Sequence, residues 1–263
     1  MESSPWRVAY ASVIGTAHVS AGTPCQDASQ CQVMQSTEGS EVLLAVAADG
    51  AGSALRSQEG AQLTTESFLR EFGLTIEENS SIDRVFVLQW LESLRKQIAD
   101  KADAEGARPR DFACTVLAAV IAPQEAIFFQ VGDGAIVVSG EEAGDYSWVF
   151  WPQHGEFANQ TNFVIQENLS EVLDFEIVAG PINELAIFTD GIERLVLDFA
   201  AKTVHGPALQ PIFEWLSATD PGAQDPCNAL AAYLGSEQIN KRTDDDKTLI
   251  MATRTKIPAE QSS

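Results

Sequence analysis

The chain has little positive charge. Its 263 residues include 16 Lys and Arg against 38 Asp and Glu, which gives a formal net charge of −22 at pH 7. A field of that sign repels the phosphates of nucleic acids and of anionic membranes. We therefore expect no nucleic acid and no membrane as a direct partner, whereas metal cations and basic peptide segments would be attracted.

Cysteine and long apolar runs are also scarce. The four cysteines, at positions 25, 31, 114 and 227, lack CxxC spacing. Cys25 and Cys31 could pair if brought together, but we expect free thiols. No apolar stretch reaches the roughly 18 residues that span a bilayer. Residues 1–7 lack the pattern of a secretory signal. These absences lead us to expect a cytoplasmic protein.

The composition predicts one folded unit. Hydrophobic residues make up 45% of the chain, which permits a substantial core. No linker rich in Pro, Gly or Ser divides the sequence. We predict a single domain over residues 1–263, with a core from about 6 to 253, a frayed tail from 256 to 263, and a monomeric state.

Short strand-like segments and segments with helical spacing alternate along the chain. The short segments predict strands at 6–14, 30–35, 41–48, 112–121, 126–131, 135–138, 146–151, 172–178, 184–189 and 247–253. Helical spacing predicts helices from Ser53 to about 72, with Ser53 as N-cap, and at 82–104, 207–216 and 226–234. Residues 152–169 predict a polar loop beside the site. The pattern favours an α+β fold with helices covering antiparallel sheets.

Three predicted strands end in the same dipeptide. Asp49-Gly50, Asp133-Gly134 and Asp190-Gly191 each follow an apolar run, and the cluster Asp244–Asp246 precedes the last strand. Asp-Gly after a strand is also a strong hairpin signal, so each dipeptide alone favours a turn. The repetition favours a shared site, because strand ends in one sheet can bring these carboxylates together.

Such a site requires cations, because carboxylates at close range repel one another. Oxygen ligands without matching His or Cys favour Mg²⁺ or Mn²⁺ over zinc. The residues therefore predict a binuclear metal hydrolase site. A calcium-buffer loop is excluded by the missing Asp-x-Asp-x-Asp-Gly spacing.

In order, the motifs resemble those of the metal-dependent protein phosphatase 2C family, especially its compact bacterial branch. The matching segments are Cys25-Gln26-Asp27-Ala28, Ala48-Asp49-Gly50-Ala51-Gly52, Ala113-Cys114-Thr115-Val116, Val131-Gly132-Asp133-Gly134, Phe188-Thr189-Asp190-Gly191 and Asp245-Asp246-Lys247-Thr248. The resemblance implies a β-sandwich of two antiparallel sheets flanked by α-helices on both faces, in four layers.

The resemblance also implies a ligand set. Two ions, Mn²⁺ or Mg²⁺, with a third at a weaker site, would be bound by Asp27, Asp49, the Gly50 carbonyl, Asp190, Asp245 and, for the third ion, Asp133. Asp49 would bridge the two ions, and Asp27 would act mostly through waters. Asp49 and Asp190 would serve catalysis by placing metal rather than as nucleophiles.

The implied activity is that of a serine/threonine protein phosphatase in bacterial signalling. Water bound between two ions would hydrolyse phosphoserine and phosphothreonine in proteins phosphorylated by a Ser/Thr kinase. No phosphoenzyme is expected.

The sequence departs from the family at several positions. Gly22 occupies the position of a phosphate-gripping Arg, and Ala51 stands where some relatives carry a His. His18 could replace the Arg as a phosphate ligand, or act as a general acid; the alternative is a structural role. His154 and His205 are expected at the surface.

Two further departures concern the metals. Gly134-Ala135 replaces the family's common Ser-Arg, and Asp246 stands in for Asn, which adds charge to the site. The departures motivate an alternative function: a catalytically weak module that binds phosphoproteins or regulates a partner.

Overall fold

The computed structural model describes residues 5–140, 144–153, 161–219 and 225–254. Two five-stranded antiparallel sheets form its centre. The first sheet contains, in spatial order, β1 (Trp6–Val13), β12 (Lys247–Arg254), β9 (Glu184–Phe188), β6 (Ala135–Ser139) and β7 (Tyr146–Phe150). The second contains β2 (Ala28–Gln35), β3 (Glu41–Ala48), β4 (Val116–Ile121), β5 (Glu125–Val131) and β8 (Asp174–Ala179).

Helices cover the outer face of each sheet. The long helices α2 (Ser57–Glu77) and α3 (Arg84–Ala104) pack on the second sheet, and α5 (Asp190–Val196), α6 (Gly206–Ala218) and α7 (Pro226–Leu234) pack on the first. The short elements are α1 (Thr16–Ala21), α4 (Leu169–Val172), α8 (Glu237–Asn240), a 3₁₀ turn (Pro109–Phe112) and the strand pair β10 (Leu197–Asp198) and β11 (Thr203–Val204).

The central strands β3 and β4 are apolar on both faces because both faces are buried. In β3, Leu43 and Ala45 point into the core between the sheets, whereas Leu44 and Val46 point towards α2 and α3. Ile187 and Ile250 of the first sheet contribute to the same inter-sheet core. The predicted α+β class and the four-layer α-β-β-α sandwich are confirmed.

Most predicted elements are present, but the start of the first long helix was wrong. The helix begins at Ser57 rather than Ser53, and Arg56 occupies the N-cap position without a side-chain cap. Helix α7 has Asp225 as its N-cap, whose carboxylate accepts a hydrogen bond from the Cys227 N–H at 3.0 Å. Helices α1 and α5 were not predicted.

The Asp-Gly pairs do not form hairpins. Asp49-Gly50 leads from β3 towards α2, and Asp190-Gly191 begins α5. Asp133-Gly134 lies in the short connection, residues 132–134, that carries the chain from β5 in the second sheet to β6 in the first. The hairpin reading of these dipeptides is therefore excluded.

The remaining sequence-based expectations concern the polar loop, the C-terminal tail, the cysteines and membrane-spanning segments. Residues 161–168 of the predicted polar loop contain no helix or strand, and residues 154–160, with His154, lie outside the described residues. The predicted frayed tail, 256–263, also lies outside them. All four cysteines have free thiols. Across the described ranges, no helix combines the length and apolar character needed to cross a membrane.

The core under α2 and α3 gives a test of the layer arrangement. The Phe129 ring on β5 is fully buried and lies 5.5 Å from Phe72, 5.7 Å from Trp90 and 6.0 Å from Phe68, measured between ring centroids. We expect Phe129→Ala to lower the free energy of unfolding by about 3–5 kcal/mol, measured by urea denaturation, because it leaves a cavity. Ile177→Ala on β8, where the side chain is 44% exposed, should cost under about 1 kcal/mol. Equal losses would contradict the arrangement.

Candidate metal centre

The predicted site residues meet at one end of the sandwich. In an antiparallel sheet, the C-terminal end of one strand lies beside the N-terminal end of its neighbour. Ala48, at the end of β3, pairs with Ala28 at the start of β2, and Phe188, at the end of β9, pairs with Leu249 near the start of β12. Motifs after β3 and β9 therefore meet motifs before β2 and β12.

A polar cavity of about 190 Å³ lies at this end. Of the residues predicted for the site, it is lined by His18, Asp49, Gly50, Asp133, Asp190 and Asp245. Asp246, Thr115 and Thr161 also line it. Within the described chain no Lys or Arg side chain lines this cavity, so His18 is its one basic group.

The Asp49-Gly50 turn is fixed by residues 113–115. The Asp49 N–H donates to the Thr115 hydroxyl at 2.9 Å, and the Thr115 N–H donates to the Asp49 carbonyl at 2.8 Å. The Ala51 N–H donates to the Ala113 carbonyl at 2.9 Å. These bonds leave the Asp49 side chain at the cavity wall. The sequence placed 113–116 among the family motifs but did not identify Thr115 as this anchor.

A close backbone approach brings Asp190 and Asp245 to the same cavity. Gly191, the second residue of α5, lies directly against the backbone of Asp246, and a Cβ at Gly191 would overlap the Asp246 carbonyl oxygen. Glycine is therefore required here for packing. The Asp190 and Asp245 segments can approach only because that side chain is missing.

Asp27 does not line the cavity but lies behind it. Its Oδ2 accepts hydrogen bonds from the hydroxyls of Thr189 and Thr248, both at 2.8 Å. Burial raises the pKa of this carboxyl, and the charges of Asp246 and Asp190 raise it further. The two threonines belong to the motifs quoted for the family, yet their bonds to Asp27 could not be derived from the sequence.

Asp246 uses both of its carboxylate oxygens. Oδ1 accepts from the Gly15 N–H and Oδ2 from the Gln26 N–H, each at 2.6 Å. Nδ1 of His18 lies 2.9 Å from Oδ2, within ion-pair distance, although it has no well-aligned hydrogen-bond acceptor among the described residues. Asp246 adds charge to the site, as expected, and it also connects α1 and the Asp27 segment to β12.

The Asp133 turn has its own supports. The Thr161 hydroxyl donates to Oδ2 of Asp133 at 2.7 Å, and the Gly134 N–H donates to Oε1 of Glu193 at 2.8 Å. Gly132 has φ +110°, a conformation that favours glycine. Burial raises the pKa of Glu193 to about 7. Neither Thr161 nor Glu193 was identified from the sequence, because each acts through a turn distant along the chain.

The central carboxylates destabilise one another's charged forms. Burial raises the pKa of Asp49, and the charges of Asp27 and Asp190 raise it further. Burial likewise raises the pKa of Asp190, with added repulsion from Asp133 and Asp245. A bound cation would reverse this preference for the neutral form.

The donor set fits hard divalent cations. Among the residues described, no three His, Cys, Asp or Glu side chains converge closely enough to enclose an ion by themselves. Mg²⁺ usually keeps several waters and binds through one or two carboxylates, so a complete protein cage is not required. The oxygen-rich cavity, with Asp49 and Asp190 in its wall, matches that mode of binding.

Comparison with known proteins identifies relatives in sequence and in fold. Serine/threonine-protein phosphatase 3 of Escherichia coli (strain K12) is 34% identical over 249 residues, 94% of this chain and 98% of that protein. PppA, a regulatory component of the type VI secretion system in Pseudomonas aeruginosa, superposes with a TM-score of 0.62 at 16% identity, over 96% of this chain and 99% of that one.

A third relative was solved with metal. The catalytic domain of the serine/threonine phosphatase PstP, in complex with two manganese ions, superposes with a TM-score of 0.57 at 11% identity, over 95% of this chain and 99% of that one. At such identities the structures establish the fold alone. The family model for protein phosphatase 2C matches residues 14–257. With these matches, the chain belongs to the protein phosphatase 2C family.

Proposed function

We propose that this protein is a metal-dependent serine/threonine protein phosphatase that hydrolyses phosphoserine and phosphothreonine in proteins phosphorylated by a Ser/Thr kinase. The observation that carries the proposal is the gathering of Asp49, Asp190 and Asp245 around one polar cavity at the end of the sandwich. The relationship to a curated serine/threonine phosphatase over nearly the whole chain supports it.

We infer that Asp49, the Gly50 carbonyl, Asp190 and Asp245 hold two Mn²⁺ or Mg²⁺ ions. Asp133 would serve a weaker third ion, and Asp27 would act from behind the wall through water. Two bound divalent cations supply an activated water and neutralise phosphoryl oxygens at neutral pH. The carboxylates themselves would hold the metal ions in position and would not attack the phosphate.

His18 is the residue we assign to the phosphate group. It lines the cavity, where no Lys or Arg of the described chain does, and Asp246 lies against its Nδ1. When the ring is protonated, its opposite nitrogen, Nε2, can donate a hydrogen bond to a phosphoryl oxygen or to the leaving oxygen while Nδ1 faces Asp246. His18 thus takes the place of the Arg whose family position is occupied here by the exposed Gly22.

The second candidate, a phosphoprotein-binding module with little turnover, is favoured by the lack of that Arg. Calorimetry with a phosphothreonine peptide in saturating Mn²⁺ separates the two. Binding without phosphate release would favour the binding module, whereas steady turnover would exclude it.

The aspartates give the first test of the catalytic proposal. We expect Asp49→Asn and Asp190→Asn to lower kcat/KM more than about 100-fold, beyond the range typical of residues outside the metal ligands. The assay measures phosphate release from p-nitrophenyl phosphate and from a phosphothreonine peptide in Mn²⁺. Asp100→Asn, at an exposed position on α3, removes the same charge and should retain wild-type activity. Full activity in EDTA would contradict the proposal.

Metal binding is also expected to change stability. Mn²⁺ at 100 times its Kd should add about 2.7 kcal/mol to the free energy of unfolding, which corresponds to a Tm increase of roughly 5–10 °C. Asp190→Asn should lose most of that increase and, in EDTA, melt above the wild type because it removes a buried like charge. Thermal melts with and without Mn²⁺ measure both effects. An equal Mn²⁺ shift in the variant would contradict the ligand assignment.

The role of His18 can be tested by the leaving group. If His18 protonates the leaving oxygen, His18→Ala should lower kcat for a phosphothreonine peptide by about 100-fold or more. The loss with p-nitrophenyl phosphate should be much smaller, because nitrophenolate leaves without a proton. If kcat/KM falls equally for both substrates because KM rises, His18 would serve phosphate binding alone. Unchanged kinetics with both substrates would contradict any contact with the phosphate.

A further inference from the structure

A second and larger cavity lies behind α5. It encloses about 580 Å³, against about 190 Å³ for the metal centre. Its walls come from α5, the start of α6, the end of α7 and α8. The residues that matter below are Arg194, Phe199, His205, Tyr233, Gln238 and Arg242. The volume is in the range of pockets that bind small molecules or several peptide side chains.

This cavity is basic in an acidic protein. Arg194 and Arg242 both line it, and among the described residues neither lies within ion-pair distance of a carboxylate. The cavity's one acidic residue, Asp198, already accepts the Ala200 and Ala201 N–H groups at 2.9 and 3.0 Å. The chain as a whole has a net charge of −22, so a cavity lined by two guanidinium groups differs in charge from the rest of the protein. These groups are available to bind an anionic ligand.

Both arginines of the cavity lie close in sequence to residues of the metal centre. Arg194 follows Asp190 by four residues on α5, so the two side chains lie on the same side of the helix, one turn apart. Arg242 lies three residues before Asp245. When a substrate protein places its phosphorylated residue beside Asp190 and Asp245, the neighbouring part of that substrate would therefore pass near this cavity.

We propose that this cavity binds an acidic or phosphorylated segment of the protein substrate, while another phosphorylated residue of that substrate occupies the metal centre. Arginine suits this ligand because its planar fork pairs with carboxylate or phosphate oxygens through two hydrogen bonds. Tyr233, 43% exposed, and Phe199, 38% exposed, offer apolar surface to the stems of the bound side chains. The inference rests on the proposed phosphatase function.

The test compares two phosphothreonine peptides of one length, with Glu or with Gln on both flanks of the phosphothreonine. We expect the wild type to have a lower KM for the Glu peptide. Arg194→Gln with Arg242→Gln should raise that KM about tenfold, as expected for the loss of charge-assisted hydrogen bonds. The KM for the Gln peptide and the hydrolysis of p-nitrophenyl phosphate should not change.

A matched control removes two positive charges elsewhere. Arg95→Gln with Lys96→Gln, on α3 over the other sheet, makes the same change in net charge and should leave the Glu-peptide KM unchanged. Arg242→Glu, which leaves α5 intact, should reverse the preference so that the Gln peptide binds better. This single variant keeps the test open if the double variant folds poorly.

Several results would overturn the inference. Equal KM values for the two peptides in the wild type would do so, as would an equal effect of the control pair. If the double variant at Arg194 and Arg242 hydrolysed p-nitrophenyl phosphate more slowly, the substitutions would be acting on the metal centre through Asp190 rather than on this cavity. Inhibition by pyrophosphate that depends on the two arginines, without any change in peptide KM, would indicate a small-anion site instead. A wild type that turns over no substrate refutes the proposed function itself.

Discussion

Repulsion between buried carboxylates is the constraint on which the rest of this structure depends. Asp49 and Asp190 line the same cavity, and burial together with neighbouring charges raises the pKa of each. Such a cluster destabilises the metal-free protein, because each charge opposes the next in surroundings of low polarity. A bound cation removes this repulsion, so the carboxylates that destabilise the metal-free protein favour metal binding. Metal binding and folding are therefore coupled in this fold.

The sandwich holds the carboxylates in place because two buried sheets end together. Register between β3 and β2, and between β9 and β12, sets which residues meet at that end. Threonine hydroxyls then orient the side chains, as Thr189 and Thr248 do for Asp27. The aromatic cluster under α2 and α3 stabilises the second sheet from its outer face. Distant packing therefore contributes to the site by preventing the strand ends from separating.

The sequence predicted more of the fold than of the site. Segments such as 41–48, a continuous apolar run, and 226–234, which begins with Pro, are long and apolar, so their elements were found at the observed bounds. Helix α1 is six residues long and has no buried residue, so it has no apolar stripe for periodicity to detect. Helix α5 begins inside a motif that also favours a turn, which hid its start.

Most of the acidic residues that line the candidate site were named from the sequence, but the hydrogen bonds that position them were not. The repeated Asp-Gly pattern identified Asp49, Asp133 and Asp190, since each follows a strand directly. The bonds from Thr115 and Thr161, and the bond to Glu193, join segments that lie far apart in the chain. No local pattern encodes such pairings, because they depend on the register of two sheets. The large basic cavity was missed for the same reason, as its two arginines lie 48 residues apart, at 194 and 242.

Asp246 accounts for a departure from the family that the sequence alone left unexplained. Its two oxygens each accept a backbone N–H at 2.6 Å, one from Gly15 and one from Gln26. An asparagine has a single acceptor oxygen, so its amide N–H₂ would face one of those donors and leave it unpaired. A carboxylate is therefore required by this arrangement, and the extra negative charge lies against His18. Asp246 therefore has two roles at once: it fixes the Gly15 and Gln26 backbone to the start of β12, and it lies against His18, the residue proposed to contact the phosphate.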